Sequence, residues 1–318
     1  MKPILVTGGA GFIGSHLVDA LISGGNMVFV LDNFSAGSMK NLALSKNKNN
    51  FHLIKGDLED IQKHRSALKS IKVIFHMAAY PDVRTGYESP EIAFKENIQN
   101  TYMLLEFARK SDVEKIIFAS SSVVYGEPSV IPTPETYGPL LPISQYGGSK
   151  LACEAMISSY CFNYGIKGTM IRLANVVGAR SNHGVIWDFI HKLSNNSSTL
   201  QILGDGTQTK SYVHISDCVD GFLTCFNKNI NDVDIFNLGN DDKIDVLSIA
   251  KIVCNNMKTK TKLVLKGGTK DGRGWIGDVK EMQLDCSKLK NLGWKMKHAS
   301  KETVELASNE LILENNLK

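Results

Sequence analysis

Tyr146-Gly147-Gly148-Ser149-Lys150 sets a phenol and an ammonium four residues apart, which on a helix places them on one face. An ammonium beside a phenol favours the phenolate and lowers a pKa that is ordinarily about 10. An oxidised nicotinamide nearby would lower it further. The product is a base near neutral pH, able to take a proton from a hydroxyl as hydride leaves the same carbon. Upstream, Ser120-Ser121-Ser122-Val123-Val124-Tyr125-Gly126 directly follows an apolar run. A hydroxyl there can bind the same substrate oxygen and stabilise the charge that grows on it. Each feature also has a plainer reading. Y-x-x-x-K spacing occurs in surface packing pairs, and serines at a strand end satisfy loose backbone groups.

Such a base needs a cofactor beside it, and the amino terminus has the residues to hold one. The apolar run Ile4-Leu5-Val6 breaks into Thr7-Gly8-Gly9-Ala10-Gly11-Phe12-Ile13-Gly14 and resumes with helical spacing through Leu17, Val18, Leu21 and Ile22. Glycines at 9, 11 and 14 fit G-x-G-x-x-G, and those at 8, 11 and 14 fit G-x-x-G-x-x-G. A turn of this kind presents backbone N–H groups at a helix N-terminus, where the dipole favours a diphosphate. A second apolar run, Met27 to Leu31, ends in Asp32-Asn33, where a carboxylate meets an adenosine ribose. Asp32 would accept from both ribose hydroxyls and repel a 2′-phosphate, which favours NAD over NADP. Its other reading is a turn aspartate after a strand.

Strand-like and helix-like segments alternate through the first half, the pattern of a doubly wound parallel sheet. Strands are predicted at 51–54, 73–79, 115–119 and 168–173, with helices over 90–110 and from about Tyr146. Small residues close several strands, where ligands of open α/β sheets sit. Beyond residue 175 the alternation loosens into a smaller lobe, with polar loops at 194–198 and 266–277 and a helix over 244–257. The 318-residue chain is 43% hydrophobic and 21% charged, ordinary for a globular enzyme. Its net charge of +4 is spread along the chain and does not suggest a nucleic-acid partner. Cys153, Cys161, Cys218, Cys225, Cys254 and Cys286 form no C-x-x-C pair, and read as reduced thiols of a cytoplasmic protein. No apolar stretch is long enough to span a bilayer. No His/Asp/Glu grouping has metal-ligand spacing, so no metal is expected. Trp187, Trp275 and Trp294 are expected in the core of the smaller lobe, His16 packed within the first helix, His76 at a strand end near the nucleotide, and His214 packed or hydrogen-bonded.

The ordered motifs TGGAGFIGSH, LDN, GDLED, HMAAYPDVR, KENIQNT, FASSSVVYG, YGGSK, RLANVVG, GDGTQTKSYVHISD, FNLGN and GDVKEMQLDCSKLKNLGW span nearly the whole chain. They resemble the extended short-chain dehydrogenase/reductase superfamily, in its nucleotide-sugar epimerase branch typified by UDP-glucose 4-epimerase. The resemblance implies a Rossmann-type α/β fold, with an NAD-binding domain over residues 1–174 plus roughly 212–238. A smaller carboxy-terminal α/β lobe over roughly 175–211 plus 239–318 would bind the nucleotide sugar. Motif by motif it assigns NAD contacts to Gly8, Gly11, Phe12, Ile13, Asp32, Asn33, Asp57, Leu58, Ala78, Ala79, Asn97, Tyr146 and Lys150. Ser121, Tyr146 and Lys150 match the family's catalytic residues. Arg84 and Asn175 would hold the sugar or its adjacent phosphate, with Ser122 beside them. Val185 falls where the lobe closes on the diphosphate, and Gln208, Lys210 and Arg273 where it grips uridine and diphosphate. For these substrate-side residues, solvated loop polarity is an equal alternative. Met282 falls near the position that excludes or admits an N-acetyl group. Asn100 and Lys210 depart from the family's usual glycine and arginine.

The resemblance also separates reaction types. Related 4,6-dehydratases place an Asp-Glu pair just after the catalytic hydroxyl residue, where this chain has Ser122-Val123; related decarboxylases carry a glutamate in the same region. The implied reaction is oxidation at C4 of a UDP-hexose, rotation of the keto sugar, and return of hydride to its other face. UDP-glucose, UDP-galactose and their N-acetylated forms all stay open. A homodimer joined through a four-helix bundle that includes the Tyr146 helix is implied too. The rival readings are a dehydratase or reductase of the same superfamily, and a non-catalytic NAD sensor or scaffold.

Overall fold

The computed structural model describes residues 2–81 and 87–316. Chain order runs β1 (Ile4–Thr7), α1 (Phe12–Ser23), β2 (Val28–Asp32), β3 (Phe51–Lys55) and β4 (Val73–His76). A helical stretch ending in α2 (Asn100–Arg109) leads to β5 (Lys115–Ser121), α3 (Gln145–Tyr164) and β6 (Lys167–Leu173). Then come β7 (Asn175–Val177), α4 (Val185–Asn195), β8 (Thr199–Ile202), β9 (Thr209–Lys210), β10 (Tyr212–His214), α5 (Ile215–Lys228) and β11 (Val233–Leu238). The chain closes with β12 (Ile244–Asp245), α6 (Val246–Asn256), β13 (Lys262–Leu265), β14 (Glu281–Met282) and α7 (Ser300–Glu314).

Seven parallel strands form the main sheet in the order β11-β6-β5-β4-β1-β2-β3. This is the Rossmann-type doubly wound sheet expected from the alternation. Its strands are apolar on both faces because both are covered. Ile4, Val6, Phe75, Ile117 and Ile171 enter one core cluster, while Leu5, Ile74, Ile116, Phe118 and Met170 enter the other. The strand order turns back between β1 and β4. Thr7, His76 and Ser121 therefore end their strands around the crevice where such sheets bind ligands.

The carboxy-terminal lobe has its own core. Ile186, Phe189, Ile190 and Leu193 line one face of α4 at helical spacing and pack with Leu200, Ile249, Val253, Val304 and Leu311. β8 pairs with β13, and β9 lies between β12 and β14. Residues 266–277 carry no helix or strand.

Some elements differ from the sequence reading. The helix expected over 90–110 is a short turn, Pro90–Ala93, then a π-helical turn, Phe94–Gln99, before α2 begins. A wider turn of this kind is common at functional sites, and Asn97 lies in it. Asn100, in place of the family's glycine, is buried, its Oδ1 without a partner among the described residues. Trp294 is buried in the main-sheet core, its indole N–H donating to the Asp217 carbonyl at 2.9 Å, and not in the smaller lobe. Trp187 is half-buried and stacks on His191. His16 reaches out of its helix to the Ala179 carbonyl at 2.9 Å. The six cysteines are buried free thiols. Among the described residues no helix is long and apolar enough to cross a membrane.

Candidate active site

Gly8, at φ +66°, turns the chain out of β1, and its N–H donates to the Leu31 carbonyl at 2.9 Å. A Cβ on Gly8 would lie 2.7 Å from the Ala78 backbone, and one on Gly14 would lie 2.2 Å from the Gly8 carbonyl oxygen. Turn, helix and the loop after β4 are thus in backbone contact, and glycine is required for it. Gly11 caps α1 without a side chain, so the N–H groups opening at Phe12 and Ile13 are left for an anion.

Asp32 is buried at the end of β2, where its two oxygens accept the Ala10 and Phe34 N–H groups, each at 2.8 Å. It is therefore a turn aspartate as well, yet each oxygen keeps a second lone pair for a ribose hydroxyl. Burial raises its pKa against those two bonds. The Asn33 amide donates to Asp57 at 2.8 Å, and Asp57 caps the following turn above buried Leu58. Ala78 donates its N–H to Thr7 Oγ1, and Ala79 is half-buried beside it. Asn97 accepts from the Tyr80 N–H at 2.8 Å and donates to Ser149 at 2.9 Å, pinning this loop to α3. These groups form a cradle for a dinucleotide: a bare helix N-terminus, a turn without room for a methyl group, and a carboxylate facing the ribose position.

Ser144 caps α3 by accepting the Gly147 N–H, which puts Tyr146 in the first turn of the helix and Lys150 in the second. Tyr146 and Lys150 then face the carboxyl end of β5. The Ser121 hydroxyl lies close enough to the Tyr146 phenol to favour its ionised form, and the Lys150 ammonium donates to the Ala119 carbonyl at 2.7 Å. Lys150 lies 4.6 Å from the Phe118 ring centre and 5.7 Å from that of Tyr146. The three sequence candidates are thus brought together. Their electrostatics correct the expectation of an acidified phenol. Burial raises the Tyr146 pKa above its ordinary value, while burial pushes Lys150 down to about 8. Desolvation penalises both charged forms, and for the phenol the Ser121 hydroxyl does not offset it. His76 lies behind them, bridging Thr7 and Thr101 at 2.8 and 2.9 Å. Burial, with Lys150 adding to it, lowers its pKa to about 3 and keeps it neutral.

The substrate-side candidates are less free than their types suggest. Arg84 lies outside the described residues. Asn175 donates to the Ser211 carbonyl at 3.1 Å, Ser122 is buried, and half-buried Val185 opens α4. The buried Gln208 amide donates to the Leu203 and Gly272 carbonyls while its Oε1 has no partner among the described residues. Lys210 pairs with Asp278 at 2.5 Å over the Trp275 ring, and Arg273 pairs with Glu127 and Asp271, each at 2.5 Å. Met282 is buried and registers with Lys210 across β14 and β9. Residue spacing does not point to the carboxylates of Glu127, Asp271 and Asp278; for Asp271 and Asp278 the signal is acid among the cations of 266–280, and for Glu127 there is none. Glu127 and Thr209 also border a cleft of about 270 Å³ with Ile131, Thr207 and Lys280. None of Ser121, Tyr146 and Lys150 lines that cleft. Among the described residues no group of three His, Cys, Asp or Glu side chains is placed to hold a metal ion.

Comparison with known proteins places this arrangement. Residues 4–239 match the model of the NAD dependent epimerase/dehydratase family. The chain belongs to that family. A putative UDP-glucose 4-epimerase of Methanocaldococcus jannaschii is 36% identical over 312 residues, spanning 96% of this chain and 97% of the relative. The crystal structure of UDP-glucose 4-epimerase from Thermotoga maritima with UDP-glucose is 34% identical, with a TM-score of 0.88 and all of both chains covered. UDP-glucuronic acid decarboxylase 4 of Arabidopsis thaliana is 31% identical over 95% of this chain and 67% of its own. As a member of the epimerase/dehydratase family, this chain is similar to enzymes of more than one reaction.

Proposed function

We propose that this protein is an NAD-dependent nucleotide-sugar 4-epimerase acting on a UDP-hexose. The observation that carries the reading is the joint placement of Ser121, Tyr146 and Lys150 at the sheet crevice, with Ser122 and Val123 where an eliminating or decarboxylating relative would need a carboxyl group. The turn at Gly8 to Gly14 and the start of α1 hold the diphosphate of NAD, and Asp32 holds its adenosine ribose. When bound, NAD supplies a hydride acceptor and a positive charge near the phenol. Tyr146 takes the C4 hydroxyl proton and returns it after the sugar has turned. Ser121 orients the same oxygen, and Lys150 stabilises the phenolate. Lys210 and Arg273 exchange their carboxylate partners for the substrate diphosphate, Asn175 and Arg84 hold the sugar side, and Met282 borders the position that selects for or against an N-acetyl group.

A second copy of the chain would pack on the outer face of α2 and α3. Phe94 just before α2, Tyr102 on α2, and Phe162 and Tyr164 on α3 are exposed, apolar surface of the kind a four-helix bundle would cover in part.

The reading is tested by proton NMR with a panel of UDP-glucose, UDP-galactose, their N-acetylated forms and UDP-glucuronic acid. We expect interconversion of one pair of C4 epimers without loss of water or carbon dioxide. Tyr146→Phe is expected to slow it by about 10²–10⁴-fold. A lasting dehydrated or decarboxylated product would overturn it in favour of the rival chemistry, and no turnover with bound NAD present would favour a scaffold.

A further inference from the structure

Beyond the catalytic residues, α3 and β5 meet through a buried ladder. On α3, Tyr146, Lys150 and Glu154 recur every four residues and so share one face. Opposite them, consecutive residues of β5 supply the partners. Ser121 meets Tyr146, the Ala119 carbonyl takes the Lys150 ammonium at 2.7 Å, and the Ser120 hydroxyl donates to Glu154 Oε1 at 2.5 Å. Glu154 is held from the other side by a two-point fork, with Arg172 Nε on Oε1 at 3.0 Å and Nη2 on Oε2 at 2.7 Å. Arg172 sits directly beside Ser120 in the β5–β6 register and stacks 4.6 Å over the Tyr125 ring. Tyr125 closes the turn that begins at Ser121, and its hydroxyl donates to Asn237 on β11 at 2.7 Å. Ser120, Lys150, Glu154 and Arg172 are all at least nine-tenths buried.

We propose that Glu154, clamped by Arg172 and Ser120, is a positioning residue for the reaction, setting the spacing of Ser121 and Lys150 about the Tyr146 phenol. A helix anchored only by its catalytic rungs could slide or roll on the strand. The Glu154 rung is two turns from Tyr146, touches no substrate position, and fixes both freedoms through a planar fork that only arginine supplies. Misplacing a reacting group by about 1 Å costs up to about 10²-fold in rate. Glu154 is also a negative charge near Lys150. The other charged or titratable groups facing that ammonium are Tyr146 and Cys153 on α3 and His76 on β4, with the Phe118 ring on β5. Glu154 and Cys153 favour the ammonium against desolvation.

This inference deepens the epimerase reading, so its test has one readout that does not need turnover. Three variants are made: Glu154→Asp, which keeps the charge but cannot span Ser120 and Arg172; Arg172→Lys, which loses the fork; and Ser120→Ala, which removes one rung with the least risk to folding. The first readout is kcat and KM for UDP-galactose, normalised to folded protein. The second is the pH titration of the Lys150 ε-carbon by NMR in ¹³C-lysine protein, assigned with Lys150→Arg. We expect Glu154→Asp and Arg172→Lys to lower kcat by about tenfold or more with KM held within about twofold, and Ser120→Ala to lower it less. In Glu154→Asp the Lys150 titration should move to lower pH as the carboxylate withdraws. Variants that only melt earlier, with kcat and the Lys150 titration unchanged, would overturn the proposal. If the wild-type chain epimerises no UDP-sugar, the functional reading fails, and the Lys150 titration alone then decides for or against the clamp.

Discussion

Histidine 76 shows how one buried residue ties chemistry to stability. Its ring bridges Thr7, beside the glycine turn, and Thr101 on α2, and is buried away from the solvent that would stabilise an added proton. In the unfolded chain it takes a proton near pH 6.5, and in the folded chain only near about 3. Between those values the unfolded state binds more protons. The stability tied to the neutral ring is therefore complete above about pH 6.5 and is lost as pH falls toward 3. Urea midpoints measured from pH 7 to 4 should fall steadily, and His76→Gln should flatten that slope. An equal slope in the variant would mean other groups carry the acid sensitivity. Lys150 is shifted in the same sense, but from a higher starting point. Burial favours its neutral form above about pH 8, so the free enzyme should lose kcat/KM on the alkaline side as the ammonium disappears.

Among the elements, the strand–turn–helix unit at the amino terminus is the least tolerant of change. The start of α1 lies so close to the turn that a methyl group at Gly14 would stand 2.2 Å from a backbone oxygen. Backbone cannot rotate away as a side chain would. Gly14→Ala is expected to cost about 1–3 kcal/mol and to lower the NAD retained on purification. Melting temperature and the nucleotide absorbance of the purified protein report the two effects. Gly148, inside α3, is the contrast: nothing lies within 4 Å of its absent Cβ. There an alanine should stabilise the helix by about 0.5–1 kcal/mol. Equal gains at both positions would show that helix propensity, and not close approach, governs the turn.

Across the whole molecule, the two lobes are joined by polar clamps as well as by chain crossings. Arg180 pairs with Asp19 on α1 at 2.7 Å, and Glu310 on α7 accepts the Ala179 N–H and faces His214. The face of α2 and α3 turned away from these clamps is where assembly is expected. Phe162 is 73% exposed, more than Phe94, Tyr102 or Tyr164, so its burial would contribute strongly to association. Phe162→Glu combined with Tyr102→Glu should convert a dimer to monomers in light scattering while leaving the melting profile of the monomer intact. A monomeric wild-type chain would remove the dimer from the account.

What the sequence alone determined was local. The strand–glycine–helix passage at residues 4–22, the acid at the end of β2, and the phenol and ammonium four apart on α3 are all short-range patterns, because turn geometry and helical periodicity act over a few residues. The parallel sheet followed from the alternation of apolar runs, each buried on both faces. Tertiary structure decided what those groups experience. It placed Tyr146 where burial raises the pKa of its phenol, and gave Lys150 a carbonyl of β5 as partner. It moved Trp294 into the main core, and paired Lys210 with Asp278, 68 residues away. Desolvation and ion pairing depend on which distant segments fold together, and residue spacing carries no record of that.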